Sequence, residues 1–235
     1  MNTNPGLSIV IRTLNEQKWL PSVLKSLKNQ TYKNIEICII DSGSTDDTLL
    51  IADSYKCKIL KIKQDEFTYP YALNVGIAET SGEIIGILSG HSVPVSNEWA
   101  TVGIEHFVDI GVAGVSGPIQ SLPDAKIREK LKQNLSNRFM QLIPKSIIEH
   151  GSLDNRNSMI RKSDWQEYNF DEVLVEGCED YDWSKYLTVK MHKKIIFDPK
   201  FQVQHSHSGI GKSSDIEMWS KWREIKKNIN TRYKQ

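Results

Sequence analysis

Short apolar runs alternate with helical patterns along the first half of the chain. An apolar run bounded by turn residues is typical of a strand buried on both faces. The predicted elements are, in order, the strand Leu7–Ile11, the helix Trp19–Asn29, the strand Ile35–Ile40, the helix Asp47–Tyr55, the strand Lys58–Ile62, the helix Asn74–Thr80 and the strands Glu83–Leu88 and Val112–Ser116. This alternation predicts an α/β fold with a mostly parallel sheet flanked by helices.

The second half of the chain carries a different pattern, with longer helical segments and polar connections. Polar residues dominate after Pro144, which predicts loops there. The predicted elements are the amphipathic helix Asp124–Leu142, the helix Tyr181–Val189, the strand Lys194–Phe197, a loop with paired histidines at Val203–Gly211 and the terminal helix Ser213–Gln235.

Asp41 stops the second apolar strand in the segment IEICIIDSGSTDDT. It would lie at the carboxyl end of that strand, where open α/β sheets bind their ligands. Ser42, Gly43 and Ser44 allow a tight turn before the next helix. Two interpretations are open: Asp41 is a fixed acceptor at a ligand crevice, or its carboxylate caps the following helix.

Polar residues also follow the other predicted strands of the first half. Thr13, Asn15 and Glu16 follow the first strand, and the segment 89–91 follows Glu83–Leu88. In a parallel sheet these residues converge with Asp41 on one edge. They offer what a nucleotide needs, namely an acceptor for a base N–H and partners for the ribose and the diphosphate.

Four segments, in this order, resemble the inverting nucleotide-sugar glycosyltransferases of family 2. They are LSIVIRTLNEQKWL, IEICIIDSGSTDDT, FTYPYALNVGIAETSGEIIGILSGHSVP and NRNSMIRKSDWQEYNFDEVLVEGCEDYDW. The resemblance extends from about Leu7 to His207. It implies a GT-A fold, with a Rossmann-like, mostly parallel central sheet flanked by helices, a C-terminal acceptor-side region and a terminal helix.

The resemblance also implies roles for individual residues of the donor site. Asp41 would accept the imide N–H of the base, and Thr13 and Glu16 would line the base and ribose pocket. The remaining residues implied to lie near the nucleotide sugar are Asn15, Ser44, Asn74, Ser89 and His91.

On the acceptor side, the resemblance implies that Asp180, or alternatively its neighbour Glu179, is the catalytic base. The competing interpretation is that these acids lie in the first turn of a helix, where the macrodipole favours them. Asn155, Asn157 and Arg161 would hold oxygens of the acceptor or the diphosphate. Alternatively, they form a hydrogen-bonded loop that supports its own backbone.

The sequence departs from the family at the metal site. Most members place an Asp-x-Asp motif where this chain has Ser89-Gly90-His91. Imidazole can ligate Mn²⁺ but suits Zn²⁺, Cu²⁺ or Fe²⁺ better than Mg²⁺, which prefers oxygen. Three alternatives stay open: His91 and His205, or next best His207, hold a divalent cation such as Mn²⁺ or Mg²⁺; His91 binds the diphosphate directly; or the metal site is lost.

Composition narrows the class of protein. Hydrophobic residues make up 39% and charged residues 25% of the 235 residues, as in soluble globular proteins. Lysine and arginine number 30 against 29 acidic residues, which argues against a nucleic-acid partner. The start MNTNPGLSIVI resembles no signal peptide, and no apolar segment is long enough to span a bilayer. We therefore expect a cytoplasmic protein, with the inner face of the membrane as the alternative.

The terminal segment 212–235 is basic, and the resemblance ends before it. Residues 213–235 carry six cationic side chains against three carboxylates, and two tryptophans. A basic amphipathic helix fits a membrane surface, whereas the competing prediction docks it on its own domain or on a second subunit of a homodimer. The predicted division is a GT-A domain at 1–211, with a nucleotide-sugar half at 1–117 and an acceptor half at 118–211, and then this helix.

The resulting prediction is an inverting transferase. It would move a sugar from a UDP- or dTDP-sugar to a hydroxyl of a glycan or lipid-linked acceptor, in bacterial surface polysaccharide synthesis. The alternative is a binding or scaffolding module that kept the nucleotide fold and lost catalysis, because the carboxylate motif is missing. A dinucleotide-dependent dehydrogenase is disfavoured, since no G-x-G-x-x-G follows the first strand.

Overall fold

A computed structural model describes residues 4–122, 152–205 and 214–234. The strands are β1 (Leu7–Thr13), β2 (Ile35–Asp41), β3 (Lys58–Lys61), β4 (Ile84–Ser89), β5 (Val93–Pro94), β6 (Val112–Ser116), β7 (Ile119–Gln120), β8 (Asn157–Arg161), β9 (Lys194–Phe197) and β10 (Val203–Gln204). The helices are α1 (Leu20–Lys28), α2 (Thr48–Ser54), α3 (Tyr69–Ala78), α4 (Trp99–Glu105), α5 (Lys162–Glu167), α6 (Glu179–Val189) and α7 (Ser214–Arg232). The predicted helix Asp124–Leu142 lies outside the described residues.

A seven-stranded sheet in the order β3-β2-β1-β4-β8-β6-β9 forms the centre of the molecule. Its strands are parallel except β8, which runs antiparallel to both of its neighbours. The carboxyl ends of β1, β2 and β4 therefore meet at one edge. The start of β8 lies at the same edge, because Asn157 pairs with Leu88. The predicted mostly parallel sheet is confirmed.

Both faces of this sheet are covered by helices, which explains why its strands have continuous apolar sequences. Ile9 and Ile11 face a core that includes side chains of α1 and α4. Val10 faces the opposite core, which includes side chains of α3 and α6. Trp99 and Trp183 are fully buried in these cores, so their bulk serves packing.

The prediction of loops after Pro144 is wrong for the segment that forms β8. β8 lies inside the central sheet, and the side chains of Asn157 and Ser158 are fully buried. The Asn157 side chain accepts a hydrogen bond from the Trp99 indole and donates one to the Phe201 carbonyl. Polar residues are tolerated in this buried strand because groups from distant segments satisfy their hydrogen bonds.

The third helix begins earlier than predicted. α3 starts at Tyr69 instead of Asn74, because the Thr68 hydroxyl caps it by accepting the Tyr71 N–H at 3.2 Å. Pro70 lies in the first turn, where its missing N–H costs nothing. The short helix α4, which packs Trp99 against the sheet, was not predicted from the sequence.

A small sheet, β5-β10-β7, connects distant parts of the chain at the carboxyl edge. β10 runs antiparallel to β5, with Gln204 opposite Val93. His91 precedes β5 and His205 follows β10, so this pairing brings the two histidines together. The start of the predicted loop Val203–Gly211 is therefore a strand, and the rest of it lies outside the described residues.

α7 docks on its own domain. Its Ile229 and Tyr233 are buried, and the fully buried carboxylate of Asp182 in α6 accepts hydrogen bonds from the Tyr233 hydroxyl and the Arg232 guanidinium. The Tyr168 hydroxyl donates a third bond to the same carboxylate. These contacts support docking within the chain. In the described ranges, no helix has the length and apolarity that crossing a membrane requires.

Gly76 is predicted to be necessary for the close approach of α3 to the sheet. A Cβ atom there would lie 2.6 Å from Val10 Cγ1 and 2.8 Å from Ile40 Cδ1. We expect Gly76→Ala to lower the free energy of unfolding by about 1–2 kcal/mol, because overpacking outweighs the gain in helix propensity. Urea denaturation measures this change. The matched control is Gly86→Ala, whose nearest contact is 3.4 Å and whose unfolding midpoint should hardly move.

Candidate active site

Asp41 stabilises the turn after β2. Its carboxylate is 1% exposed and accepts hydrogen bonds from the Thr13 hydroxyl (3.1 Å), the Gly43 N–H (3.0 Å), and the N–H (2.9 Å) and hydroxyl (2.5 Å) of Ser44. These four bonds fill the lone-pair positions of a carboxylate. The geometry therefore gives Asp41 a positioning role in this turn, and its contact with a base imide N–H stays a prediction. The carboxylate also does not cap α2.

Asn15 joins the loop after β1 to the loop after β2. Its backbone has φ of +54°, a conformation that asparagine tolerates better than most residues. Its N–H donates to the Ser44 hydroxyl at 2.9 Å, and its side-chain oxygen accepts the Thr45 N–H at 2.8 Å. Asn15 is exposed and Ser44 is half-buried, so both predicted donor-site residues lie on the rim of the carboxyl edge.

Glu16 and His91 connect the loops that follow β1 and β4. Glu16 Oε1 lies 2.6 Å from His91 Nδ1, and both side chains are largely buried. A Cβ on Gly90 would lie 2.6 Å from Glu16 Cγ, so this close approach needs a glycine. The rings of His91 and His205 have centroids 4.5 Å apart. The structure thus brings together residues that the sequence places far apart.

The predicted cation site is not formed by the described residues. No group of three or more histidine, cysteine, aspartate or glutamate side chains within this part of the chain is arranged to hold a metal ion. The position of the Asp-x-Asp motif supplies only His91, whose Nδ1 lies against Glu16. His91 and His205 lie side by side, but the described residues supply no third ligand beside them, so a divalent cation at this edge stays a prediction. His207 lies outside the described residues.

Asn155 organises the acceptor side of the edge, two residues before β8. It is 3% exposed. Its N–H donates to Asp180 Oδ2 (3.3 Å), its side-chain NH₂ to Glu179 Oε1 (3.1 Å), and its carbonyl accepts from Arg12 Nη2 (3.3 Å). Its side-chain oxygen accepts the Ser158 hydroxyl. Asn155 therefore fixes both carboxylates of the predicted acidic pair.

Asp180 lies in the first turn of α6 and is only partly exposed. Burial, together with the negative charges of Glu179 and Asp154, raises the pKa of Asp180 to about 7. Burial alone would also raise the pKa of Asp154, but hydrogen bonds from Arg156 lower it instead. A carboxylate with a pKa near neutrality is suited to accept and release a proton.

Arg12 is a cation at this edge that the sequence analysis did not select. It lies on β1 opposite Ser89, the half-buried residue that ends β4. Its guanidinium lies 5.1 Å from the centre of the Tyr69 ring. Its Nη1 is buried and has no hydrogen-bond partner among the described residues. In the sequence, the feature that could have identified Arg12 is its charge near the end of an otherwise mostly apolar strand.

Two of the predicted site residues have structural contacts instead of facing the edge. The side-chain oxygen of Asn74 accepts the Trp165 indole N–H and the Phe170 N–H, and its NH₂ donates to the Phe170 carbonyl and to Glu172. Asn74 therefore connects α3 to α5 and to the segment that follows it through hydrogen bonds. Asn157 is buried between α4 and the segment before β10, as described above.

Arg161 lies at the opposite end of β8, where it pairs with Ile84 at the start of β4. Its guanidinium donates to the backbone carbonyls of Phe107, Asp109 and Val112. The expected contact with acceptor or diphosphate oxygens is therefore not supported by its position, because the carboxylates lie at the other edge.

Comparison with known proteins identifies the family to which the chain is similar. The model of the family described as glycosyl transferase family 2 matches residues 8–168. An uncharacterised glycosyltransferase of Rickettsia typhi is 36% identical over 92% of this chain and 71% of its own length. The GalNAc(5)-diNAcBac-PP-undecaprenol β-1,3-glucosyltransferase of Campylobacter jejuni is 25% identical over 62% of this chain and 54% of its own.

Solved structures show the same fold. A mannosyltransferase from Pyrobaculum calidifontis, in complex with GDP-Man and Mn²⁺, superposes with a TM-score of 0.68 at 15% identity. The match covers 95% of this chain but 65% of that protein, so the chain spans about two thirds of its length. Such neighbours are GT-A glycosyltransferases, and the predicted GT-A architecture is confirmed.

The raised pKa of Asp180 predicts a pH-dependent cost in stability. A folded pKa of about 7 against the ordinary aspartate value of 3.8 means that the folded protein loses stability as the pH rises between these values. We expect the stability of Asp180→Asn relative to wild type to rise by about 2–3 kcal/mol as the pH increases from about 5 to about 8. Thermal melts of both proteins across this range measure the difference. Asp53→Asn, which changes an exposed carboxylate, should keep a constant offset, and a constant offset for Asp180→Asn would contradict the prediction.

Proposed function

Because this chain belongs to glycosyl transferase family 2, we propose that it transfers a sugar, with inversion, from a nucleoside-diphosphate sugar to an acceptor hydroxyl. Asp180 is the catalytic base in this proposal. The observation that carries it is the Asp180 carboxylate, which Asn155 holds at the carboxyl edge of the sheet and whose pKa is raised to about 7. Open α/β sheets bind their ligands at this edge.

The proposed reaction is a single displacement. The acceptor oxygen attacks the anomeric carbon and forms the new bond, while the bond from that carbon to the diphosphate oxygen breaks on the opposite face. Asp180 takes the proton from the acceptor hydroxyl, and the nucleoside diphosphate leaves with the electron pair of the broken bond. One carboxylate is sufficient for this chemistry. Glu179 is the weaker candidate, because it is 4% exposed and bonded to Asn155.

Arg12 is proposed to stabilise the negative charge that develops on the departing diphosphate. Its Nη1 has no partner within the described part of the chain, and Nη2 is fixed on the Asn155 carbonyl. A guanidinium held between the donor loops and Asp180 would act where charge forms in the transition state.

The nucleoside is proposed to lie over the loops after β1 and β2. Asn15 and Ser44 offer accessible polar groups there, and Ser89 lies on the adjoining strand end. Thr13 is 3% exposed and donates to Asp41, so its contribution is to fix the loop. Glu16 acts through its contact with His91. UDP and dTDP remain the proposed carriers.

The acceptor is proposed to be a hydroxyl of a glycan or lipid-linked glycan. The support comes from the Campylobacter jejuni relative, whose name specifies an undecaprenol-linked acceptor. A role in bacterial surface polysaccharide synthesis, at the inner face of the membrane, is part of the same proposal.

Replacement of Asp180 tests the proposed base. We expect Asp180→Asn to lower kcat by about 10²- to 10⁴-fold, because general base catalysis contributes that much. The dissociation constant for the nucleoside diphosphate should stay unchanged in calorimetry. Radiolabelled UDP-, dTDP- and GDP-sugars supply the donors, and donor hydrolysis supplies a readout that needs no identified acceptor.

Two controls separate this assignment from its competitors. Glu179→Gln should lower kcat less than Asp180→Asn does, and the reverse order would exchange the two roles. In wild type, kcat should rise with pH through about 7, because the base acts in its deprotonated form. If wild type bound nucleoside diphosphates but hydrolysed no donor faster than Asp180→Asn does, the chain would be a binding module.

Arg12 is tested through nucleotide affinity. We expect Arg12→Gln to weaken binding of the nucleoside diphosphate about tenfold, since a charge-assisted hydrogen bond to the diphosphate is lost. Lys61→Gln is the control, because Lys61 ends β3 at the same edge of the sheet, two strands away from β1. Equal affinities for wild type and Arg12→Gln, measured by calorimetry, would remove Arg12 from the donor site.

A further inference from the structure

A groove of about 770 Å³ separates α6 from α7. α6 contributes Tyr181, Lys185 and Val189 to its walls, which recur every four residues and so share one helix face. α7 and the two residues that follow it form the opposite wall, which extends from Trp222 to Lys234. This groove is separate from the loops assigned to the donor.

The groove is strongly cationic. No carboxylate lines it in the described part of the chain, and none of its basic side chains forms an ion pair with a described residue. The five basic residues that line it are Lys185, Arg223, Lys226, Lys227 and Lys234. Such a concentration of one charge attracts anions.

The ring of Tyr181 contacts two of these lysines. The ammonium groups of Lys226 and Lys185 lie 4.9 Å and 5.6 Å from the centre of the Tyr181 ring. The Tyr181 hydroxyl donates to the Asn230 side chain across the groove at 2.8 Å. The walls are therefore tied to each other, in addition to the contacts of Asp182 with Arg232 and Tyr233.

The groove begins beside the proposed base. Tyr181 follows Asp180 in α6, and its N–H donates to Asp180 Oδ1 at 2.7 Å. The charge of Lys226 contributes to lowering the pKa of Asp154, which places this lysine within electrostatic reach of the carboxylates. An anion in the groove would lie next to an acceptor hydroxyl at Asp180.

We propose that this groove binds the phosphate or diphosphate group of the acceptor, and that the acceptor is therefore a phosphate-linked sugar. The inference rests on the proposed function, since it places the acceptor hydroxyl at Asp180. The anion lies between Lys185 and Lys227, while the sugar extends past Tyr181 toward the carboxylates. Tyrosine offers a flat apolar face for the sugar, and the ammonium groups neutralise the phosphate.

The test uses inorganic pyrophosphate as the probe and the full chain. The donor site is first saturated with the nucleoside diphosphate that binds in the titrations above, so that pyrophosphate has only a second site. We expect wild type to bind pyrophosphate by calorimetry, and Lys185→Gln/Lys227→Gln to bind it about tenfold more weakly. The affinity for the nucleoside diphosphate itself should be the same in both proteins.

The matched control is Lys190→Gln/Lys221→Gln, which also removes one lysine from each of the two helical segments but outside the groove. It should bind pyrophosphate as wild type does. Equal loss in both double variants, or no second site in wild type, would overturn the proposal. Because donor hydrolysis and its dependence on Asp180 are measured separately, the transferase proposal stands or falls on its own result.

A vesicle arm distinguishes the acceptor phosphate from a membrane surface. The probe is a vesicle of phosphatidylcholine and phosphatidylglycerol in equal parts, added in a sedimentation assay. If the groove variant lost vesicle binding but kept wild-type affinity for pyrophosphate, the groove would be a membrane contact and the proposal would be wrong. Loss of pyrophosphate binding with no vesicle binding by wild type supports the proposal.

Discussion

The hydrogen bonds of Asn155 hold together the parts of the molecule on which the proposed chemistry depends. Its backbone and side chain contact Asp180, Glu179 and Arg12, which lie on α6 and β1. Two adjacent carboxylates in a largely buried position repel each other, and their charged forms are disfavoured by burial. Asn155 stabilises this arrangement because it donates one hydrogen bond to each of the two carboxylates. The antiparallel strand β8 delivers Asn155 to the edge where the parallel strands end.

Two carboxylates in the same helix show how the surroundings decide their roles. Asp182 is fully buried, and Tyr168, Arg232 and Tyr233 donate to it, so it serves to dock α7. Asp180 accepts only backbone N–H groups from the residues that the structure describes, and it lies beside like charges. Burial raises the pKa of both carboxylates, so their hydrogen-bond partners and neighbouring charges distinguish the docking residue from the proposed base.

The donor side shows a division between residues that shape the edge and residues that reach a ligand. Asp41 accepts hydrogen bonds from its own turn and from Thr13, and the polar side chains at the rim are those of the exposed Asn15 and the half-buried Ser44. The family's carboxylate motif is replaced by a sequence in which His91 meets Glu16. Arg12, Arg156 and the basic side chains of the α6–α7 groove place positive charge near the acidic pair.

The sequence by itself determined the α/β alternation, the edge at which the loops meet and the acidic pair at the start of α6, because local periodicity and strand ends carry these signals. It did not determine β8, since the polar Asn157 and Ser158 are buried only through partners on α4 and near β10. It also did not assign Asn74 and Arg161, whose contacts lie far away in sequence, nor reveal Arg12 and the groove. Hydrogen-bond partners and shared surfaces form between distant segments, so only the tertiary structure decided which polar residues support the fold and which face the site.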